Sequence, residues 1–334
     1  MKAEKRKIRI SLPSKGFLGE KSKELLANVG FRVYSPNPRQ YQASILRFPE
    51  MEVIFQRPGD IVHSVRDGSV DFGITGRDIY LERKDENGNI LELHKRLGFS
   101  HCSLNVILPQ SWGEVNSLAD LSIMEASLKR PLKVASKFPN LTRKFFEQNS
   151  GVQFKVIQSE GALEIAPTVG YADLIVDIVS TGTTLRDNHL KILEGGELLQ
   201  SQACLIANKV CLQKNPATRK IAIQLLEVIG AYLRGNEKLS IFANIRGESP
   251  QKIAEKIFEK KVIGGLQGPT ISQVITREGR GWYAAHLVVT KSKLHQAVRE
   301  IREVGGSGVV VSQVDYIFEE EPEELSAMLS ALEA

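Results

Sequence analysis

Apolar and polar residues alternate at Ile8, Ile10 and Leu12 and run into Pro13-Ser14-Lys15-Gly16, a period of two that predicts a strand ending in a turn. Leu25, Leu26 and Val29 then recur at helical spacing up to Gly30, a suitable C-terminal stop, and Val53-Ile54-Phe55 predicts the next strand. Strand, helix, strand is the opening of an α/β sheet. Two later segments echo each other. Gly68-Ser69-Val70-Asp71-Phe72-Gly73-Ile74-Thr75-Gly76 and Gly170-Tyr171-Ala172-Asp173-Leu174-Ile175-Val176 each set a Gly ahead of a small or branched apolar residue, an Asp and a strand of buried type. The echo predicts two similar α/β lobes with a cleft between them. Ligands in such sheets gather at the carboxyl ends of strands, which points to the loops after Ile74 and Val179.

From Leu239 the texture changes. Leu239 to Ile245 predicts a strand, Ser249-Pro250 the cap and first turn of a helix, and Pro269 to Ile275 and Tyr283 to Val289 two more strands. A helix from Lys291 to Val304 follows, and Gly305-Gly306-Ser307-Gly308 turns the chain into Val309-Val310-Val311. This is the order of a ferredoxin-like unit, a separate small α+β domain. Beyond the acidic stretch Glu319 to Glu324, Leu325, Met328, Leu329 and Leu332 form one stripe of a terminal helix, expected to pack on a partner or on its own domain.

With 334 residues, 42% of them hydrophobic, the chain has room for two or three domains. The basic Met1 to Arg9 leads into no apolar segment, and no later stretch approaches a membrane-spanning length. The expectation is a cytoplasmic protein with no membrane partner. Three cysteines without a CxxC pair argue against a disulfide framework or structural zinc, and the six histidines form no cluster at ligand spacing. A net charge of +5 with no basic run interleaved with aromatics argues against nucleic acid; it suits small polyanionic substrates or a solvated surface equally.

The chemistry concentrates in Asp173-Leu174-Ile175-Val176-Asp177-Ile178-Val179-Ser180-Thr181-Gly182-Thr183-Thr184-Leu185. On a strand, Asp173 and Asp177 share a face, with Asp177 nearer the carboxyl end. Ser180, Thr181, Thr183 and Thr184 then supply hydroxyls, Gly182 permits close backbone approach, and Leu185-Arg186 can begin a helix whose free N–H groups favour an anion. The loop lacks the Lys and glycine spacing of a Walker loop. It fits a sugar phosphate, with a carboxylate for ribose hydroxyls; it fits a plain turn with capping residues as well.

The run Glu160-Gly161-Ala162-Leu163-Glu164-Ile165-Ala166-Pro167, then Gly170, Ala172-Asp173, Ile175, Asp177, Val179, Thr181-Gly182 and Thr184-Leu185, resembles the signature of ATP phosphoribosyltransferases. Pro13-Ser14-Lys15-Gly16, Arg57 with Asp60-Ile61, Asp71 to Asp78, and Phe138-Pro139 fit in order, so the resemblance covers nearly the whole chain. The sequence departs from the family at Phe17, where Arg is usual, at the inserted Arg83 to Asn89, and at Asn244, where an acidic residue is usual. The resemblance implies two lobes similar to type II periplasmic binding proteins, residues 1–104 with 196–220 and residues 105–195, and an ACT-like regulatory domain over 221–334. It implies transfer of the phosphoribosyl group from phosphoribosyl pyrophosphate to N1 of the ATP adenine, with Mg²⁺, at the first step of L-histidine biosynthesis. Ser180 to Thr184 would hold the 5′-phosphate and Asp177 the ribose, supported by Glu164 and Asp173. Lys15, Gly16, Arg57, Asp71, Gly76 and Arg77 would meet ATP or pyrophosphate. L-Histidine would inhibit near Asn244, Thr270 and Gly308 of a homo-oligomer, a dimer when active and a hexamer when inhibited. The two-lobed fold also serves binding modules without catalysis.

Overall fold

The structure, a computed structural model, describes residues 6–333 apart from 38–39, 85–86, 150, 181, 266–267 and 277–280. It divides into two compact units, one running to Ile223 and including Glu324 onward, the other Gln224–Glu323.

The first unit opens with β1 (Ile8–Pro13), α1 (Gly16–Asn28), β2 (Val33–Tyr34), β3 (Gln42–Ile45), β4 (Met51–Gln56), α2 (Pro58–Arg66), β5 (Phe72–Gly76), α3 (Arg77–Arg83) and β6 (Ile90–His94). The chain then builds a second sheet from β7 (Cys102–Pro109), α4 (Leu118–Leu128), β8 (Leu132–Ser136), α5 (Pro139–Asn149) and β9 (Phe154–Gln158). The short α6 (Ala166–Val169), β10 (Leu174–Val179), α7 (Thr183–Asp187) and β11 (Leu190–Ser201) complete it. It returns with β12 (Ala203–Asn208), α8 (Lys209–Lys214) and α9 (Pro216–Asn236), the last running across the boundary between the units.

The sheets are ordered β2-β3-β4-β1-β5-β12-β6 and β11-β7-β10-β8-β9. Their centres share one plan. In the first, β4, β1 and β5 are parallel, β12 runs against β5 and β6 against β12. In the second, β9, β8 and β10 are parallel, β7 runs against β10 and β11 against β7. The echoed segments, β5 and β10, therefore occupy the same place in two lobes of the type II periplasmic-binding-protein kind. The first half of β10 is buried on both faces, as its apolar run Leu174-Ile175-Val176 requires: Leu174 and Val176 pack with Leu104, Val106 and Phe146, and Ile175 with Leu163 and Leu185.

Three expectations change. The short antiparallel pair β2 and β3 intervenes before β4; strands of two and four residues carry too few alternations to be read from pattern. The expected lobe boundaries at 104/105 and 195/196 fall inside strands, because β7 starts at Cys102 and β11 pairs with it as far as Ser201. Gly195, with φ +70°, sits in a register shift between Ile192 and Glu197, so the glycines bend β11 without ending it. The chain crosses between lobes over residues 95–101 and at Gln202.

The second unit contains β13 (Lys238–Arg246), α10 (Pro250–Phe258), β14 (Thr270–Gln273), β15 (Trp282–Thr290), α11 (Leu294–Glu303) and β16 (Gly306–Gln313). Its antiparallel sheet, ordered β14-β15-β13-β16, is the ferredoxin-like, ACT-like arrangement. Leu239, Ile241, Ala243 and Ile245 face its core. Ser249 caps α10 by accepting from the Lys252 N–H, with Pro250 in the first turn. The segment expected as a turn up to Gly308 is already strand: β16 begins at Gly306, and Gly308, at φ +57°, follows a shift of register against β13. The last helix, α12 (Glu323–Glu333), corrects the assignment of the tail to the small domain, since from Glu324 it belongs to the first unit. Gln213 Nε2 donates to the Leu332 carbonyl, 3.0 Å, Glu324 lies 3.5 Å from His94, and Met328 is buried. No described helix is long and apolar enough to cross a membrane.

Candidate functional site

Because β4, β1 and β5 are parallel neighbours, the residues that follow them lie along one edge of the first sheet: Arg57 after β4, Lys15 and Gly16 after β1, and Arg77 after Gly76, the last residue of β5. Gly16 takes φ +75° to turn the chain from β1 into α1, and Arg57 precedes Pro58 at the start of α2. Lys15 and Arg57 are exposed. Arg77 is half-buried and committed to Glu92 (Nε to Oε1, 2.7 Å), a hydrogen bond that raises the guanidinium pKa further.

In the second lobe the carboxyl end of β10 carries Asp177 and the hydroxyl loop. Glu164, Asp177, Ser180, Gly182 and Thr184 line one pocket of about 160 Å³. Gly182, at φ +72°, precedes α7 and offers no side-chain cap, and Thr183 opens the helix on the exposed side. Thr181 lies outside the described residues. Burial pushes the Asp177 carboxyl above the ordinary aspartate range; the Ile178 N–H, 2.8 Å away, and Lys137 oppose the shift, and Glu164 adds to it.

A larger cavity of about 700 Å³ shares Val179 and Ser180 with this pocket and reaches Arg77 in the first lobe, past Lys95, Arg96 and His101. These last three were not candidates in the sequence. They sit on the crossing between lobes, which the pattern placed several residues too late; the basic pair directly after a strand end was the available signal. Cys102 also lines the cavity, and burial, then Asp78, pushes its thiol up to about 11, which removes it as a nucleophile at neutral pH.

Two carboxylates expected in the site lie elsewhere. The Asp71 N–H donates to the Arg9 carbonyl (3.0 Å) while Asp71 Oδ2 accepts from the Arg9 N–H (2.8 Å). Asp173 does the same with Lys133, at 2.8 Å both ways. Each then takes an arginine, Arg6 at 3.6 Å from Asp71 and Arg130 in two 2.7 Å bonds to Asp173, which hold the Asp173 carboxyl below its ordinary pKa. The repeated Asp is thus a clamp between neighbouring strands at the amino ends of β5 and β10. Four residues of strand put Asp173 about 13 Å from Asp177. Face alternation matched the two aspartates, but distance along the strand separates them.

Asn244 on β13 and Gly308 on β16 are adjacent, with a Cβ at Gly308 falling 3.5 Å from Asn244 Nδ2. Thr270 begins β14, separated from β13 in this chain's sheet by β15. Among the described residues no three His, Cys, Asp or Glu side chains converge as a metal cluster.

The sequence model described as ATP phosphoribosyltransferase matches residues 57–229, and that described as the HisG C-terminal domain matches residues 236–316. The chain is 40% identical to ATP phosphoribosyltransferase 2, chloroplastic, of Arabidopsis thaliana over 97% of its own length and 80% of the relative's. It is 35% identical to ATP phosphoribosyltransferase of Gemmatimonas aurantiaca over 92% and 98%. The chain belongs to the ATP phosphoribosyltransferase family. As an ATP phosphoribosyltransferase it is a pentosyltransferase that joins ATP to phosphoribosyl pyrophosphate with release of pyrophosphate, the first step of histidine biosynthesis. Its fold is similar to that of the ATP phosphoribosyl transferase (HisG:HisZ) complex from Thermotoga maritima, with a TM-score of 0.52 and 24% identity over 67% of this chain and 98% of that one.

Proposed function

We propose that this enzyme holds the 5′-phosphate of phosphoribosyl pyrophosphate on Ser180, Thr183, Thr184 and the backbone N–H groups after Gly182, and the ribose hydroxyls on Asp177. ATP then enters from the edge of the first sheet that carries Lys15, Arg57 and Arg77. The observation that carries this reading is the pocket in which Glu164 and Asp177 face the hydroxyl loop.

The nucleophile is N1 of the adenine ring, so no side chain has to attack. Departure of pyrophosphate leaves positive charge on the ribose ring, and a negative Asp177 near that ring stabilises it. The lobes' remaining task is to align two polyanions and exclude water. Glu164 and Asp177 are hard oxygen donors, fewer than a closed metal site needs, and therefore fit Mg²⁺ shared with the substrate. When bound, Mg²⁺ screens the charge of the departing pyrophosphate.

In this reading the enzyme works in the cytoplasm as a homo-oligomer, a dimer when active and a hexamer when inhibited. L-Histidine binds the second unit beside Asn244 and Gly308 and inhibits from there.

Steady-state kinetics of Asp177→Asn and Thr184→Ala test the cradle. Each removes a charge-assisted hydrogen bond, so kcat/KM for phosphoribosyl pyrophosphate falls by about ten- to a hundredfold, with little change in the KM for ATP. Wild-type kinetics in both variants would refute the assignment.

A further inference from the structure

The 700 Å³ cavity between the lobes holds more positive charge than the 5′-phosphate cradle uses. Arg77, Lys95 and Arg96 line it, beside the imidazole of His101, against one carboxylate, Glu197, and no Phe, Tyr or Trp is among its described lining residues. A cavity whose one aromatic group is an imidazole, with no broad apolar wall, is less suited to an adenine ring than to a chain of phosphates. The cations are not equivalent. Arg77 is tied to Glu92, whereas among the described residues the side chains of Lys95 and Arg96 make no ion pair or hydrogen bond.

Their backbone is nevertheless well held. The Leu97 N–H donates to the Ala203 carbonyl and the Ala203 N–H to the Phe99 carbonyl, both at 3.0 Å, which binds the two crossings together. Gln202 joins a third segment: its side-chain oxygen accepts from the Gly98 N–H and its carbonyl from the Arg77 N–H, each at 2.9 Å. Two unpaired cations thus stand on a braced platform that opens onto Ser180, the first hydroxyl of the phosphate loop.

We propose that Lys95 and Arg96, on the crossing between the lobes, form the subsite for a substrate polyphosphate chain, and that Gln202 positions them. The shared chemistry is a diphosphate or triphosphate, carried either by phosphoribosyl pyrophosphate or by ATP. The inference rests on the 5′-phosphate reading only for its orientation: a ribose anchored at Asp177 and Ser180 to Thr184 lies beside this cavity.

Calorimetric titration of the full-length enzyme in Mg²⁺ buffer tests this with inorganic pyrophosphate, ATP, AMP, phosphoribosyl pyrophosphate and ribose 5-phosphate. Lys95→Ala and Arg96→Ala each weaken pyrophosphate binding about tenfold or more, the worth of one charge-assisted bond, and leave AMP and ribose 5-phosphate unchanged. Weakened ATP with unchanged phosphoribosyl pyrophosphate assigns the subsite to the triphosphate; the reverse assigns it to the pyrophosphate of the sugar. Lys95→Arg, which keeps the charge, retains binding. Unchanged affinity for pyrophosphate, ATP and phosphoribosyl pyrophosphate overturns the proposal, and so does an equal loss for AMP and ribose 5-phosphate, which marks a diffuse field. Thr184→Ala separates the two readings: if ribose 5-phosphate still binds normally there, the cradle is wrong while the pyrophosphate result stands.

Discussion

Asp177 has to be negative to accept hydrogen bonds from ribose, yet folding takes it out of water and sets it beside Glu164, and both raise its proton affinity. Activity therefore rises with pH through a pKa above that of an exposed aspartate. Two substitutions give the direction of the acid limb of kcat/KM: Glu164→Gln moves it to lower pH, and Lys137→Ala, which removes an opposing cation, moves it higher. A pH–rate profile unmoved by both would separate the limb from Asp177. Stability runs the other way. A carboxyl whose folded pKa is raised contributes stability that is present below its unfolded pKa and lost as pH rises through the folded one. Asp177→Asn is thus expected to raise the melting temperature at neutral pH while lowering activity, a combination that a folding defect cannot produce. That Asp177 stands near the carboxyl end of its strand was legible in the sequence. That Asp173 is held by Arg130 and Lys133 was not, because those partners lie 40 or more residues away.

At the scale of elements, α3 brackets the two lobes. Asp78 Oδ1 accepts from Ser201 Oγ (2.7 Å), whose oxygen accepts in turn from the Asp78 N–H (2.9 Å). At the other end, the Glu82 carboxylate accepts from the Asn140 and Leu141 N–H groups at 3.0 Å, and Asn140 Nδ2 donates to the Glu82 carbonyl. Glu82 thereby caps the N-terminus of α5, a helix of the other lobe. Burial raises the Glu82 pKa, and those two N–H groups oppose it. Glu82→Ala leaves the donors at the start of α5 without their acceptor and is expected to cost about 2–3 kcal/mol in urea unfolding. Ser117→Ala, at the capping box of α4, is the local control, at about 1 kcal/mol. Equal losses would remove the brace from the account. The capping box joins residues three apart in the chain, whereas a cap supplied from 58 residues away leaves no local pattern.

For the whole molecule, the regulatory reading makes a reciprocal demand. If L-histidine bound at the second unit disfavours the substrate-bound state, phosphoribosyl pyrophosphate must weaken histidine binding by the same factor. Calorimetric titration of histidine with and without phosphoribosyl pyrophosphate measures both arms, and Asn244→Asp, which restores the family's usual charge type, is expected to tighten histidine binding. Independent affinities, or competition confined to the cleft, would leave the second unit without this role. The sequence alone determined the opening strand-helix-strand pattern, the two similar lobes, the ferredoxin-like unit and the place of the hydroxyl-rich loop after β10, because periodicity, turn residues and local spacing are properties of neighbours in the chain. Tertiary structure decided which carboxylates share a pocket, and it tied Asp71 to Arg9 and Arg6 and Asp173 to Lys133 and Arg130. It also brought Lys95, Arg96 and His101 to the cavity and returned α12 to the first unit. Those outcomes depend on strand pairing and packing between segments up to hundreds of residues apart, and hydrogen bonds such as Gln213 to Leu332 leave no mark on either local sequence.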